Sequence, residues 1–422
     1  MNVLNYPRSG ISIHEGKTGA GLRVFVFPME GFQSKYAFFA TRYGGCDRRF
    51  LLDGKWTDTP AGIAHYLEHK MFDMPGYNAM ERFAALGASP NAFTGSGMTG
   101  YLFSCTDHFD ECLRELLTYV TTPYFTSESV RKEQGIIGQE IRMGEDDPSR
   151  RVRQNLMKAL YRAHPVRDSI AGTVDSIALI TPETLYDCHR MFYSPENMVL
   201  CCAGDLDPEK VLALAEELVP AGKAAPERDY GGEEDPLPVS VRTEEKMAVS
   251  MPLFLLGSKL PWLEDGGAWA KRMILAELSC DLLLGEGSPL YSELYSAGII
   301  NASFYAGAFD FPRGGVCCAG GRCPDPMAVL GRIVDAAAAF RMDDRALARW
   351  ERIRRAALGN FLMTLDSPED LCHTQAESYL GGWERMTYPE LIEGLRAEDA
   401  ERFLRSAFRP EALAISVIRP NQ

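Results

Sequence analysis

The segment from His65 to His69 reads His-Tyr-Leu-Glu-His and places two imidazoles and one carboxylate close together in the chain. In an α-helix, positions i and i+4 lie on one face, so His65 and His69 can direct a ring nitrogen at the same metal ion. The carboxylate of Glu68 leans toward the same side of the helix. The spacing therefore predicts two ligands for zinc and a base that accepts a proton from water.

A catalytic zinc ion typically has three protein ligands and a fourth position for water, so this segment is one ligand short. Glu133 and Glu140 are the best candidates, because they are two helical turns apart on one face of the helix predicted over 129–143. One of them can bind zinc while the other accepts a hydrogen bond from a zinc-bound histidine. From the residues alone, the assignment of these two roles stays open.

These residues also fit ordinary helices with a solvated acidic stripe, so the surrounding sequence has to decide. The His-x-x-Glu-His segment lies in an apolar-periodic helix, predicted over 62–72, that follows the turn Pro60-Ala-Gly. Such a helix is the setting that this kind of metal site requires. The sequence context therefore favours a metal site.

Further motifs continue through the first half of the chain: Gly87–Thr94, Thr99–Tyr101, Glu133–Glu140 with Asp147–Pro148, His164–Pro165, Gly172–Asp175 and Tyr193–Leu200. With these motifs the chain resembles the pitrilysin/insulinase-type zinc metallopeptidases, or inverzincins, in which His-x-x-Glu-His replaces the His-Glu-x-x-His of thermolysin-like enzymes. It is similar in particular to the active subunits of bacterial two-subunit processing peptidases. The resemblance implies a zinc metalloendopeptidase, a hydrolase acting on peptide bonds.

The resemblance also implies a role for each candidate residue. His65, His69 and Glu140 are expected to bind Zn2+, and Glu68 and Glu133 are expected to be catalytic, as the general base and a supporting carboxylate. In the family's mechanism the base takes a proton from the zinc-bound water and later returns it to the leaving amine.

A short segment is expected to bind the substrate. Asn91, Ala92 and Phe93 resemble the family's edge strand, whose unpaired backbone groups hold an extended peptide beside the metal. Asn91 and Thr94 also fit ordinary turn and strand roles. Because backbone recognition is weakly selective, the sequence leaves the preferred cleavage site open.

Length and composition set wider limits. The chain has 422 residues, of which 46% are apolar, which is ample for two or three domains with conventional cores. No N-terminal signal sequence and no apolar run of about twenty residues is visible, so we expect no membrane segment and a cytoplasmic location.

The formal net charge of −14 argues against a nucleic acid partner. The eleven cysteines are expected to be reduced thiols, and no role is assigned to them.

A stretch rich in proline, glycine and acidic residues, Ala224–Pro238, interrupts the pattern of strands and helices. It predicts an N-terminal catalytic zinc-binding α/β domain at 1–225, a linker at 226–238 and a homologous C-terminal α/β domain at 239–422. Strand and helix patterns recur in the same order on both sides of it. The predicted fold class is α+β, and the resemblance implies an antiparallel β-sheet covered by helices in each domain, together forming half of a clam-shell.

A second chain is expected to complete the clam-shell and to enclose unstructured oligopeptides or peptide precursors in a dimer chamber. The family commonly uses an arginine and a tyrosine seven residues apart to bind substrate and stabilise the oxyanion. The corresponding segment, Ser288–Ala302, contains no arginine. This absence favours a heterodimer with a related metal-free subunit that supplies the pair.

Two alternatives remain from the sequence. The chain can form a homodimer in which Tyr291 or Tyr295 has adapted to the missing role. It can also be a non-catalytic scaffold or peptide-binding subunit of a larger complex. The complete set of metal and base residues argues against the scaffold.

Overall fold

The computed structural model describes residues 1–421. Up to the predicted linker, the strands and helices are, in chain order, β1 (Asn2–Tyr6), β2 (Ile11–Lys17), β3 (Arg23–Pro28), β4 (Lys35–Thr41), β5 (Arg49–Leu52), β6 (Lys55–Asp58), α1 (Ile63–Met71), β7 (Asp73–Met74), β8 (Tyr77–Asn78), α2 (Ala79–Ala85), β9 (Ser89–Thr94), β10 (Thr99–Cys105), α3 (Phe109–Thr121), α4 (Ser127–Glu145), α5 (Pro148–Leu160), α6 (Val174–Ile177), α7 (Pro182–Phe192), β11 (Met198–Gly204), α8 (Pro208–Leu218) and β12 (Arg228–Asp229).

The second half continues with β13 (Arg242–Met247), β14 (Leu253–Leu260), α9 (Gly266–Leu284), α10 (Pro289–Ser296), β15 (Tyr305–Phe311), β16 (Gly314–Arg322), α11 (Pro326–Ala339), α12 (Asp344–Thr364), α13 (Pro368–Leu380), α14 (Tyr388–Glu393), α15 (Ala397–Ala407) and β17 (Ala414–Pro420). Short 3-10 helices lie at Pro165–Arg167, Pro195–Asn197, Arg385–Thr387 and Pro410–Ala412.

The first compact unit comprises residues 1–141, 169–230 and 361–386. Its main sheet has the strand order β1-β2-β3-β11-β4-β10-β9, in which β3 and β11 are parallel and the other pairs are antiparallel. Apolar side chains of α1, α3, α4 and α7 pack on one face of this sheet and form its core. Helix α13 covers the other face, against β11 and β4.

The second compact unit comprises residues 142–168, 231–360 and the chain from 387 onward. Its sheet has the order β13-β17-β14-β16-β15, with β13 and β17 parallel and the other pairs antiparallel. Helices α9, α11 and α15 supply the core on one face, and α5 packs against β14 and β17 on the other. Because this order repeats β3-β11-β4-β10-β9, the prediction of two homologous α+β domains with largely antiparallel sheets is confirmed.

Each unit contains a helix from a distant part of the chain. The boundary after Tyr230 falls within the predicted linker, but residues 142–168 fold with the second unit and 361–386 with the first, so the units are not the contiguous segments 1–225 and 239–422. Central strands β11 and β17 are buried on both faces over most of their length, which requires a helix on each face. Helices α13 and α5 supply these second covers.

Two further expectations concern the whole chain. All eleven cysteines are buried free thiols, as the composition suggests. Within residues 1–421, the helices are too short or too polar to span a lipid bilayer.

Candidate metal centre

Helix α1 carries the His-x-x-Glu-His segment and starts after a position that requires glycine. Gly62 has a φ of 95°, and a Cβ at this position would lie 2.5 Å from the carbonyl oxygen of Ala171. Beyond it, one side of α1 is buried in the core of the first unit through Ile63, Ala64, Tyr66, Leu67 and Met71. His65 and His69 lie on the less buried side of the helix. The two histidines are thus held on a short helix that the core fixes in place.

Helix α4 presents the two candidate glutamates to α1. Val130, Ile137 and Ile141 are buried on the core side of α4. The hydroxyl of Tyr66 on α1 donates a hydrogen bond to the carbonyl oxygen of Val130 and so ties the two helices together. Glu133 and Glu140 lie near the histidines as a result, and their side chains are 15% and 39% exposed.

Three side chains converge between α1 and α4. Atoms Nε2 of His65 and Nε2 of His69 each lie 3.6 Å from Oε2 of Glu140. The ligand atoms of all three residues lie within 4.8 Å of one another. Among residues 1–421, these three form the single group of histidine, cysteine and acidic side chains that is close enough to hold a metal ion.

This group of donors fits zinc. A tetrahedral zinc ion with bonds of about 2.1 Å separates its ligand atoms by about 3.4 Å. The distance from either imidazole Nε2 to the Glu140 carboxylate is 3.6 Å, which is close to this separation. Two imidazoles and one carboxylate are also typical of catalytic zinc sites, which leave one position for water. His65, His69 and Glu140 are therefore the residues that would hold zinc.

Glu133 contacts the other nitrogen of His69. Its Oε1 lies 3.0 Å from Nδ1 of His69. When Nδ1–H donates to Glu133, Nε2 of His69 is left unprotonated and faces Glu140. Burial lowers the pKa of His69, but the hydrogen bond to Glu133 and the charges of Glu68, Glu133 and Glu140 outweigh it and raise the pKa. The acidic surroundings of His69 thus favour a positive charge at this place, which a proton supplies in the metal-free chain and a bound metal cation would supply instead.

Glu68 is buried, with 8% of its surface exposed, and it lies one residue before His69. The Thr94 hydroxyl, at the end of β9, donates a hydrogen bond of 3.0 Å to Glu68 Oε2. Burial raises the pKa of Glu68, while His69 and the Thr94 hydrogen bond oppose the rise and Glu140 adds to it. A buried carboxylate held by one oxygen keeps its other oxygen for proton transfer.

Strand β9 ends the first sheet and contains Asn91, Ala92 and Phe93. It pairs with β10 in an antiparallel register that matches Tyr101 to Ala92. Its outer edge therefore presents backbone groups that do not take part in that pairing. The amide of Ala92 donates to the side chain of Asn91 at 2.9 Å. The structure thus places the three predicted substrate-binding residues on a strand edge, and Thr94 joins this strand to Glu68.

The turn after β9 is held by a loop that contains Gly44 and Asp47. The amides of Gly45 and Cys46 donate to the carbonyls of Gly95 and Ser96 at 3.0 and 2.8 Å. The buried carboxylate of Asp47 accepts hydrogen bonds from the Gly44 amide and the Tyr230 hydroxyl, both at 2.8 Å. Tyr230 lies in the predicted linker 226–238, so part of that stretch supports the end of the candidate site.

The sequence did not indicate Thr94 as a site residue, and four other histidines and tyrosines of interest lie outside the candidate metal centre. Thr94 was not among the candidate site residues, although the alternation of side chains along β9 places it on the same face as Ala92. His164 and His189 form hydrogen bonds with backbone groups and lie outside the converging group. Tyr291 and Tyr295 stack on each other on α10, with ring centroids 5.8 Å apart.

Comparison with known proteins identifies the family. A family model described as insulinase (peptidase family M16) matches residues 54–174, and one described as peptidase M16 inactive domain matches residues 179–340. The chain is 33% identical over 437 residues to the Bacillus subtilis protein named uncharacterized zinc protease YmfH, with 100% of this chain and 99% of that protein covered. The chain belongs to the insulinase (M16) family of peptidases.

The chain is also similar to a further zinc protease and to two proteins of known structure. The chain is 29% identical to the uncharacterized zinc protease ML0855 of Mycobacterium leprae over 291 residues, which cover 65% of this chain and 64% of that protein. The crystal structure of an M16-like peptidase from Alicyclobacillus acidocaldarius has a TM-score of 0.93 at 33% identity and covers 99% of this chain and 100% of its own. A protease of Helicobacter pylori shares the fold, with a TM-score of 0.82 at 17% identity and coverage of 97% and 100%.

M16 membership accounts for how the site residues are distributed. The segment His65–His69 and both Glu133 and Glu140 fall within the range of the insulinase model, 54–174. The model described as an inactive domain begins only after them, at residue 179. The candidate metal centre is thus contained in the part of the chain that matches the peptidase model.

Proposed function

We propose that this chain is a zinc-dependent endopeptidase that hydrolyses unstructured oligopeptides or peptide precursors inside a dimer chamber. The observation that carries the proposal is the convergence of His65, His69 and Glu140 beside the buried carboxylate of Glu68. The hydrogen bond from Thr94 to Glu68 brings the edge strand β9 to the same place. Ligands, base and peptide-binding edge are thus adjacent.

The residues divide the chemistry among them. His65, His69 and Glu140 would hold the zinc ion, which would supply the Lewis acidity that activates water and polarises a peptide carbonyl. Glu68 accepts the proton of the attacking water and returns it to the leaving amine, and its raised pKa suits that transfer. Glu133 holds the tautomer and orientation of His69 through the 3.0 Å contact to Nδ1.

The position of β9 supports one class of substrate. An extended peptide can add to the free edge of β9 through backbone hydrogen bonds, with Asn91, Ala92 and Phe93 as the contacting residues. A folded protein offers no such segment, because its strands are already paired. Unstructured peptides are therefore the expected substrates. Since Asn91 Oδ1 accepts from the Ala92 amide at 2.9 Å, its side chain must move to release that donor.

We also propose that a related, metal-free subunit completes the site. The segment Ser288–Ala302 has no arginine, and its exposed Tyr295 stacks on Tyr291 of the same helix. Removing an oxyanion-stabilising donor typically costs a peptidase about 100- to 1,000-fold in rate. The chain alone is thus expected to cleave peptides slowly. A partner that supplies the arginine and tyrosine should raise the rate by about this factor, and a homodimer that reaches the full rate alone would contradict the heterodimer.

The test of the proposed activity is peptide hydrolysis by matched variants. Glu68→Gln removes the base but keeps the size of the side chain, so we expect zinc to stay bound and cleavage to stop. Glu115→Gln is the control, because Glu115 is also buried, at 7% exposure, but its carboxylate accepts hydrogen bonds from Tyr77 and Arg82 and lies outside the group of candidate metal ligands. If Glu68→Gln cleaved peptides as fast as Glu115→Gln, Glu68 would not be the general base.

A further inference from the structure

Three aromatic rings lie on the face of β9 that turns away from Glu68. Side chains alternate along a strand, so Phe93 projects to the opposite face from Thr94, toward helix α13. The rings of Phe93 and Phe38 are nearly parallel, at 10°, with centroids 5.8 Å apart. His373 of α13 stacks on Phe38 at 4.1 Å and on Phe93 at 5.6 Å. The outermost strand of the sheet is thus joined by side chains to a helix.

A glycine makes this arrangement possible. Strand β10 lies between β4, which carries Phe38, and β9, which carries Phe93, so the two rings must meet across it. The residue of β10 that pairs with Phe93 is Gly100. A Cβ on Gly100 would lie 2.2 Å from Cε2 of Phe38 and 3.1 Å from Cε1 of Phe93. The missing side chain therefore leaves the space that the Phe38 ring occupies.

The imidazole of His373 is also fixed through one of its nitrogens. Its Nε2 lies 2.7 Å from the hydroxyl of Tyr36 on β4, in a hydrogen bond whose donor depends on the imidazole tautomer. Tyr36 itself is 4% exposed. The plane of the ring is set by stacking on Phe38, and its rotation is set by Tyr36. His373 is thus a rigid contact for the β9 side chain and not a loosely packed surface residue.

We propose that His373 is a positioning residue for peptide binding, because its stack with Phe38 and Phe93 holds β9 in the conformation that an added substrate strand requires. An interior strand is fixed by two neighbours, whereas β9 pairs with β10 on one side, so contacts of its faces must supply the rest. Thr94 fixes one face through Glu68, and Phe93 fixes the other. The inference rests on the proposed function in one respect, namely that β9 binds the peptide.

Four variants of the full zinc-loaded chain separate stacking from hydrogen bonding. His373→Ala removes both, His373→Phe keeps a flat ring without the bond to Tyr36, and His373→Gln keeps a polar group without a ring. Tyr379→Ala is the matched control, because Tyr379 is also a partly exposed ring of α13 but contacts Phe25 on β3, far from β9 in the strand order. Thermal unfolding and zinc content establish that each variant is folded and loaded.

The first readout is hydrogen exchange of the amides in 89–94, which needs no turnover. The second is the Kd of a labelled unstructured peptide, measured in the Glu68→Gln background so that it is not cleaved. Loss of one aromatic stack is expected to weaken peptide binding about two- to tenfold in His373→Ala and His373→Gln. We expect faster exchange in the same two chains, and behaviour like the parent in His373→Phe and Tyr379→Ala.

Unchanged exchange in 89–94 for His373→Ala, or an equal change in Tyr379→Ala, would overturn the positioning role. Should His373→Ala fail to fold, Phe93→Ala removes the same stack from the strand side and is read by the same two measurements. The proposed function fails separately, if the peptide does not bind to the parent chain at all. In that case the exchange data alone still decide whether His373 positions β9.

Discussion

Replacing Glu140 and Glu133 by glutamine, one at a time, separates a metal ligand from its supporting carboxylate. Glu140 Oε2 lies 3.6 Å from Nε2 of both His65 and His69, whereas Glu133 contacts Nδ1 of His69. Loss of such a supporting partner typically lowers metal affinity about 10- to 100-fold, or about 1.4 to 2.7 kcal/mol. Glu140→Gln removes one of three ligands and the anionic one among them. Its loss of affinity is therefore expected to exceed that of Glu133→Gln.

The assay is competition for zinc between each metal-free chain and a chromophoric chelator at neutral pH. Glu128→Gln is the matched control, since Glu128 lies on the same helix α4 but is exposed at its first turn. We expect the control to bind zinc like the parent, Glu133→Gln to bind more weakly and Glu140→Gln to bind weakest. An affinity for Glu133→Gln equal to or below that of Glu140→Gln would refute the assignment of the two roles.

Three further predictions concern the base, the metal and the pH dependence of stability. Thr94→Val removes a hydrogen bond to the Glu68 carboxylate that is worth about 1.5 to 3 kcal/mol. The rate of peptide cleavage should therefore fall about tenfold or more, while the zinc content stays unchanged. An unaltered rate would show that this hydrogen bond does not contribute to catalysis. Removal of zinc with a chelator should lower the free energy of unfolding, measured by urea titration. Free zinc at about 100 times its Kd should restore about 2.7 kcal/mol of it. A free energy of unfolding that does not change with zinc concentration would argue against zinc binding to the folded chain. Burial lowers the pKa of His164 and His189 from 6.5 to about 4, so the unfolded chain takes up protons that the folded chain does not, and stability falls as the pH drops. Between pH 7 and 5.5 each histidine should lower the free energy of unfolding by about 1 kcal/mol. His189→Gln keeps a donor for the Val120 carbonyl and should abolish the part of this pH dependence that is due to His189. If the free energy of unfolding of His189→Gln changed with pH as it does in the parent, a neutral buried His189 would be contradicted.

Much of the fold could be predicted because its elements carry strong periodic signals. The apolar runs Met198–Ala203 and Leu413–Ile418 are typical of buried strands, and they lie in the central strands β11 and β17. The helix predicted over 62–72 is observed at Ile63–Met71. The destinations of α5 and α13 could not be predicted, because amphipathic periodicity gives the apolar face of a helix but not the sheet that it covers.

For the candidate site, spacing predicted which residues could meet, and tertiary contacts supplied the rest. The i and i+4 spacing of His65 and His69 and the helical face shared by Glu133 and Glu140 depend on helix geometry alone, so they are readable from the sequence. The hydrogen bond from Thr94 to Glu68 depends instead on how β9 packs against α1. The contact of His373 with Phe93 requires a helix from a distant segment of the chain, and no local pattern indicates it.

The most direct test of the proposed peptidase activity is hydrolysis of a mixed set of unstructured, fluorogenically quenched peptides by the purified, zinc-loaded chain. Glu68→Gln is measured in parallel, and zinc is quantified in both chains. We expect one bound zinc ion per chain in each sample, slow cleavage by the parent and no cleavage by Glu68→Gln. Equal cleavage by both chains, or a zinc-loaded parent chain that cleaves no peptide during prolonged incubation, would contradict it.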